Sequence, residues 1–235
     1  MVSNDDNKTA IKLRKLLEVV GDAKTLLIVM QDHPDPDAVA SAAALRKLAN
    51  AHEITCSLVH SGMVGRAENR ALVEYLGINL RRIDEVNLES FDRIALVDTQ
   101  PGTGNNGLPT EVLPDIVIDH HPIHKKTRSV EFTDIRSGYG ATSTILCEYL
   151  RQAGITPEAP LATALLYGIR SDTLDLGRGA RKADLDAHLF LYHEANLKML
   201  AQIQHGEQPA YYYRLLFTGL ANARTFGDCL FSDLG

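Results

Sequence analysis

Cysteine is scarce in this 235-residue chain: Cys56, Cys147 and Cys229 stand far apart and form no C-x-x-C pair. No disulfide framework or cysteine zinc site is readable, which suits a reducing cytoplasm. Basic charge is also short, with 24 Lys and Arg against 30 Asp and Glu and a formal net charge of -6. A general basic field able to wrap long nucleic acid is therefore absent, and no such partner is expected. Arg81-Arg82 and Lys125-Lys126 read as solvated loop charge. No apolar run approaches the ~20 residues that cross a bilayer, and Met1–Asp6 lacks the basic and apolar regions of a signal peptide. A cytoplasmic protein without a membrane partner is expected. There is no G-x-x-x-x-G-K-[ST] loop and no G-x-S-x-G elbow. With no catalytic context around any cysteine either, covalent nucleophilic chemistry has no support.

What is present is an alternation of short apolar runs with helical spacings. Residues 8–20 carry Ile11, Leu13, Leu16, Leu17 and Val20 at helical intervals, ended by Gly21. Thr25–Met30 is wholly apolar, as in a strand covered on both faces, and leads through Asp35 and Asp37 into an Ala-rich helix to Ala49. Further strands are predicted at 54–59, 94–97 and 116–118, and helices at 66–76, 141–153, 160–171 and 183–203. This order predicts an α/β fold with a mainly parallel, helix-covered sheet. The expected division is a catalytic domain over residues 1–182, then a helical connector over 183–235. The last stretch, with Tyr211-Tyr212-Tyr213 and Cys229-Leu230-Phe231, reads as the start of further structure in a longer protein.

Three of the apolar strands end in acids: Asp35 and Asp37, then Asp98, then Asp119. In open α/β sheets the carboxyl ends of the strands line the ligand crevice, so neighbouring strands would bring these acids together. Asp172 closes a helical segment and is a fifth candidate. Any one of them alone reads equally as a cap or turn residue. Converging carboxylates repel one another and call for a cation. With His120 the set is oxygen-rich and contains an imidazole, which suits Mn2+ and not a structural zinc. Gly138-Tyr139-Gly140-Ala141-Thr142-Ser143-Thr144 opens a helix and reads either as a phosphate cradle or as a plain N-cap loop. Arg178, after Asp172, is a candidate phosphate contact or a solvated side chain.

At these residues the chain resembles the DHH phosphoesterase family. Asp119-His120-His121 stands as the name-giving motif. Pro34-Asp35-Pro36-Asp37-Ala38 with Ser41 is similar to the family's first motif, Val97-Asp98-Thr99 to the second, and Gly168-Ile169-Arg170-Ser171-Asp172-Thr173 to the fourth. The resemblance covers roughly residues 24–205 and implies two metal ions, Mn2+ with Mg2+ or Co2+ as substitutes, sharing Asp98 as a bridge. One ion would also take Asp35; the other would take Asp37, His120 and Asp172. Asp119 would orient His120, and His121, with Thr142 or Ser143, would face the substrate. One position departs from the pattern: Gln31 stands where the family carries a ligating histidine, and His33 is a candidate replacement. The family implies a two-metal hydrolase of phosphate esters, here of small nucleotides or short oligonucleotides. Two alternatives stay open: a non-catalytic nucleotide-binding regulatory module on the same scaffold, and an inorganic pyrophosphatase or exopolyphosphatase. The assembly state is open, a homodimer included. The Gly-Gly-Gly-His-type loop of the family's substrate domain does not occur in this chain.

Overall fold

Strand side chains alternate between the two faces of a sheet, and here both faces are dry. In β1 (Thr25–Val29), Leu26 and Ile28 enter one apolar cluster while Leu27 and Val29 enter another. The same split recurs in β4 (Arg93–Val97) and β5 (Ile116–Asp119): Ala95, Val97, Ile116 and Ile118 face one side, Ile94, Leu96 and Val117 the other. In this computed structural model, which describes residues 4–205 and 209–234, β1, β4 and β5 are the centre of a six-stranded sheet. Its order is β3-β2-β1-β4-β5-β6, with β2 (Thr55–His60), β3 (Leu80–Arg82) and β6 (Phe132–Ile135) outside them, and every pairing is parallel.

The helical cover lies on one face. It comprises α1 (Asn4–Val20), α2 (Pro36–Asn50), α3 (Ala67–Leu76), α4 (Thr142–Gln152), α5 (Ala159–Asp172), α6 (Lys182–Glu194) and α7 (Leu197–Gln204). The other face is closed by two 3-10 turns, Ile83–Glu85 and Leu88–Ser90, and by Phe91 and Val112. Ala38, Ala40, Ala42 and Ala44 of α2 are fully buried, so their small side chains let α4 and α5 pack close to the helix that carries Asp37. The edge strands β3 and β6 were not predicted. Arg81 and Arg82 read as loop charge, yet a short edge strand tolerates charge and is protected by it.

The single helical region predicted over 183–203 is two helices. Asn196 breaks it: its side chain caps α7 by accepting the Met199 N–H at 3.0 Å, and its own N–H donates to Thr163 Oγ1 at 2.8 Å. Ala187, Leu191, Leu200 and Ile203 join the same core as the sheet. Beyond them α8 (Ala210–Ala221) buries no residue, and β7 (Arg224–Phe226) with β8 (Cys229–Phe231) forms an exposed antiparallel hairpin. Among the described residues no helix is long and apolar enough to cross a membrane.

One buried ion network braces the loop after β6. The Arg136 side chain, 3% exposed, donates to both oxygens of Asp134, to Glu148 at 2.6 Å and to the Tyr139 hydroxyl at 3.1 Å. The Tyr149 hydroxyl donates to Asp134 at 2.7 Å. Removing one partner of a buried pair strands the other charge, which costs about 3–5 kcal/mol. Asp134→Ala is therefore expected to lower unfolding stability by about 3 kcal/mol or more in urea titration. A change below about 1 kcal/mol would show that the network does not hold this loop.

Candidate metal centre

Because β1, β4 and β5 are neighbours, the acids at their carboxyl ends meet in one place. Asp35 leaves β1 as the N-cap of α2 and accepts the Ala38 N–H at 2.9 Å. Asp37 follows in the first turn, fully buried. Its oxygens accept the backbone N–H groups of Thr142 and Ser143, both at 2.7 Å. Those N–H groups open α4, so the positive end of that helix faces the Asp37 carboxylate. The helix start that reads as a phosphate cradle thus already holds an anion, Asp37 itself. Thr142 and Ser143, expected on the substrate side, are fully buried behind the carboxylates. Thr142 Oγ1 also donates to Asp98 Oδ1 at 2.8 Å.

Asp98 ends β4 with φ +58°, a left-handed backbone at a non-glycine residue. Such a conformation costs on the order of 1–3 kcal/mol and collects at functional sites. Its N–H donates to the Ile118 carbonyl at 3.0 Å, so the turn stays pinned to β5 while the side chain faces the cluster. Burial first, and then the charges of Asp37 and Asp35, push its carboxyl well above the usual range. Asp35 and Asp37 are raised as well, by burial and then by Asp37 and by Asp172 respectively.

His120 Nδ1 lies 3.3 Å from the Tyr139 carbonyl, which can only accept, so this nitrogen carries the hydrogen. In the neutral ring Nε2 then carries the lone pair; in the protonated ring it faces Asp172 Oδ2 at 3.2 Å and Asp98 Oδ1 at 3.7 Å as an ion pair. The atom is buried and makes no hydrogen bond of good geometry. Burial alone would lower the His120 imidazolium, but Asp172 and Asp37 outweigh it and push it up to about 9. A buried ring nitrogen aimed at a group of carboxylates fits a bound cation. Asp37, His120 and Asp172 bring one ligand atom each within 4.8 Å of one another, as do Asp98, His120 and His121.

Asp119 does not orient His120, the role implied by resemblance. Its Oδ1 meets His121 Nδ1 at 2.8 Å, and its Oδ2 accepts from Gln100 Nε2 at 2.6 Å. Burial would raise the Asp119 carboxyl, but His121 and Gln100 hold it below its ordinary range. His121 is 55% exposed and is raised by the Asp119 bond. Gln100 and Tyr139 are thus two positioning groups that motif spacing did not single out. Gln100 lies two residues beyond Asp98, and Tyr139 acts through its backbone, which carries no side-chain signal. Arg178 is exposed and reaches the Asp172 carbonyl at 3.4 Å, at the mouth of the cluster.

Gln31 Nε2 donates to Asp35 Oδ2 at 2.9 Å. With Ala38 on the other oxygen, both oxygens of Asp35 are engaged by the chain. His33 is exposed, its Nδ1 lies 3.3 Å from the Met63 backbone, and it lines the same cleft as Gln31 and Asp35.

The fold and cluster define a parallel α/β domain with a carboxylate–imidazole centre at the carboxyl edge of its sheet. Residues 25–169 match the sequence model of the DHH family, N-terminal domain, and the chain belongs to that family. The uncharacterized protein MJ1633 of Methanocaldococcus jannaschii is 35% identical over 222 residues, covering 94% of this chain and 45% of its own length. A probable manganese-dependent inorganic pyrophosphatase of Listeria innocua is 26% identical over 148 residues, 63% of this chain and 48% of its own length. The chain therefore spans about half the length of these curated relatives. Among solved structures, an exopolyphosphatase-related protein from Bacteroides fragilis shares the fold. Its TM-score is 0.75 at 13% identity, over 93% of this chain and 67% of that one.

Two predictions follow from the geometry. A Cβ on Gly168 of α5 would collide with Ser143 Oγ and sit 3.1 Å from the Asp37 Cα. Gly168→Ala is expected to weaken Mn2+ binding by about 10-fold or more, as loss of a supporting group does, with the circular dichroism of the fold retained. Unchanged affinity would place Asp37 outside the site. Secondly, His120 and the raised carboxyls of Asp37 and Asp98 hold protons that a cation must displace. Metal affinity should therefore rise with pH up to about 9. Calorimetry near pH 7 in buffers of different ionisation enthalpy should show about one proton or more released per ion. Binding without proton release would contradict the assignment.

Proposed function

We propose that the chain hydrolyses phosphate ester bonds of small nucleotides or short oligonucleotides with divalent metal ions, Mn2+ foremost and Mg2+ or Co2+ as substitutes. The observation that carries this is Nε2 of His120, buried among the carboxylates of Asp98 and Asp172 with no hydrogen bond of good geometry of its own. A binding-only domain has no use for so costly an array of buried acids. The manganese named in the Listeria relative supports the choice of ion.

Two ions are assigned, unequally. Asp37, Asp98, His120 and Asp172 would form the stronger position; Asp35 with Asp98 would form the weaker, because Gln31, standing where the family carries a ligating histidine, donates to Asp35 instead of offering an imidazole. When bound, the ions supply a Lewis acid for the phosphoryl oxygens and a water acidified enough to attack near neutral pH. His121, held at Nδ1 by Asp119, presents Nε2 to the substrate phosphate or hands its proton to the departing oxygen. Arg178 meets the outer phosphate oxygens. Residues 1–182 are assigned as the catalytic unit, and 183–235 as a connector whose first two helices pack on the same core, followed by the start of a further domain.

A second reading, inorganic pyrophosphatase or exopolyphosphatase, is favoured by the resemblance to a probable manganese-dependent inorganic pyrophosphatase and to an exopolyphosphatase-related protein. Separating the two takes one assay series. Mn2+-dependent cleavage of diadenylate to mononucleotides is expected, with Asp98→Asn reducing it by more than about 100-fold. Cleavage that persists in chelator would sink the metal-dependent mechanism. Turnover of pyrophosphate or polyphosphate with no turnover of diadenylate would establish the second reading instead.

A further inference from the structure

Two clefts share a wall at the start of α3. The first, about 510 Å3, runs from Gln31, Asp35 and Asp172 to Gly65 and Arg66. The second, about 430 Å3, continues from Gly65 and Arg66 past Arg70 to Tyr211 and Tyr212 at the start of α8. Both have the size of small-molecule sites. Together they make a groove leading away from the metal centre.

The chemistry changes along this groove. Its inner end is acidic. Its middle carries the exposed guanidinium of Arg66, which lines both clefts, and Arg70, which holds the Gly65 carbonyl at 2.5 Å. Its outer end carries two aromatic rings, Tyr211 at 60% and Tyr212 at 45% exposure. Tyr212 is steadied edge-on by Tyr213, with ring centroids 5.6 Å apart at 84°. Exposed tyrosines beside arginine are the means by which single-stranded nucleic acid is held, the bases stacking and the cations tracking the backbone. Phosphate chains have no π face and gain nothing from such rings. Glu68 lines the outer cleft as well, so the two arginines leave about one net positive charge there. That balance suits one bridging phosphodiester better than a polyphosphate.

We infer that this groove is a second-nucleotide subsite. The scissile phosphate lies at the metal centre, Arg66 meets the backbone beside it, and Tyr211 and Tyr212 stack the remote base of a short single strand. The inference rests on the phosphoesterase reading and narrows its substrate to oligonucleotides of two or more nucleotides.

The test uses the full chain with Mg2+ and a diadenylate analogue. The analogue carries 2-aminopurine as the remote base and a non-hydrolysable methylenephosphonate linkage. Binding should quench the fluorophore by stacking. Tyr211→Ala and Tyr212→Ala should each weaken Kd by about 10-fold and relieve the quenching, while the Phe variants keep both. Arg66→Ala should weaken Kd without relieving the quenching of the bound fraction. Equal Kd and quenching in the wild type and both Ala variants would overturn the subsite. So would a Phe variant that fails as badly as its Ala counterpart. Failure here with metal-dependent diadenylate cleavage intact removes only the subsite; stacking without any cleavage removes only the hydrolytic reading.

Discussion

Everything at the carboxyl edge of the sheet depends on how five acids are kept together out of water. Asp37 and Asp98 are almost wholly buried, and Asp35, Asp119 and Asp172 stand close enough for their charges to act on them. Like charges under those conditions must be neutralised by protons, dipoles or cations. The chain supplies part of the answer. The first N–H groups of α4 serve Asp37, Thr142 serves Asp98, and Gln100 and His121 serve Asp119. The remaining charge, between Asp37, Asp98 and Asp172, faces Nε2 of His120, where either a proton on the ring or the cation proposed above would complete the balance.

That constraint explains features of the fold that have no other evident use. The left-handed turn at Asp98 is strain that an ordinary strand end avoids, but it keeps the carboxylate facing its neighbours while the N–H stays bonded to β5. Gly168 is a glycine inside a helix, where alanine is intrinsically better; the approach of Asp37 and Ser143 leaves no room for a methyl group. The buried Arg136 network holds the turn from which the Tyr139 carbonyl reaches His120. Charge, backbone and packing therefore converge on the same few atoms.

Much of this was legible in residue order. Apolar runs ending in Asp35, Asp98 and Asp119 predicted both the parallel sheet and the meeting of the acids, because strand ends share an edge whenever the strands are neighbours. The edge strands were not legible, since Leu80–Arg82 and Phe132–Ile135 are short and carry polar residues. Nor was the role of Thr142 and Ser143. A hydroxyl-rich helix start binds an anion in either case, and only the packing of α4 against α2 makes that anion Asp37. The partner of Asp119 escaped motif reading for a similar reason: adjacent histidines point different ways, and the loop geometry decides which one its carboxylate meets.

The central claim is that Asp37, Asp98, His120 and Asp172 hold a divalent cation. Diffraction from crystals grown with Mn2+, recorded on both sides of the manganese absorption edge, tests it most directly. The account predicts a strong anomalous peak bounded by these four side chains, with a weaker one or none beside Asp35 and Gln31. A peak confined to the Asp35 side, or none within reach of His120 Nε2, would contradict it.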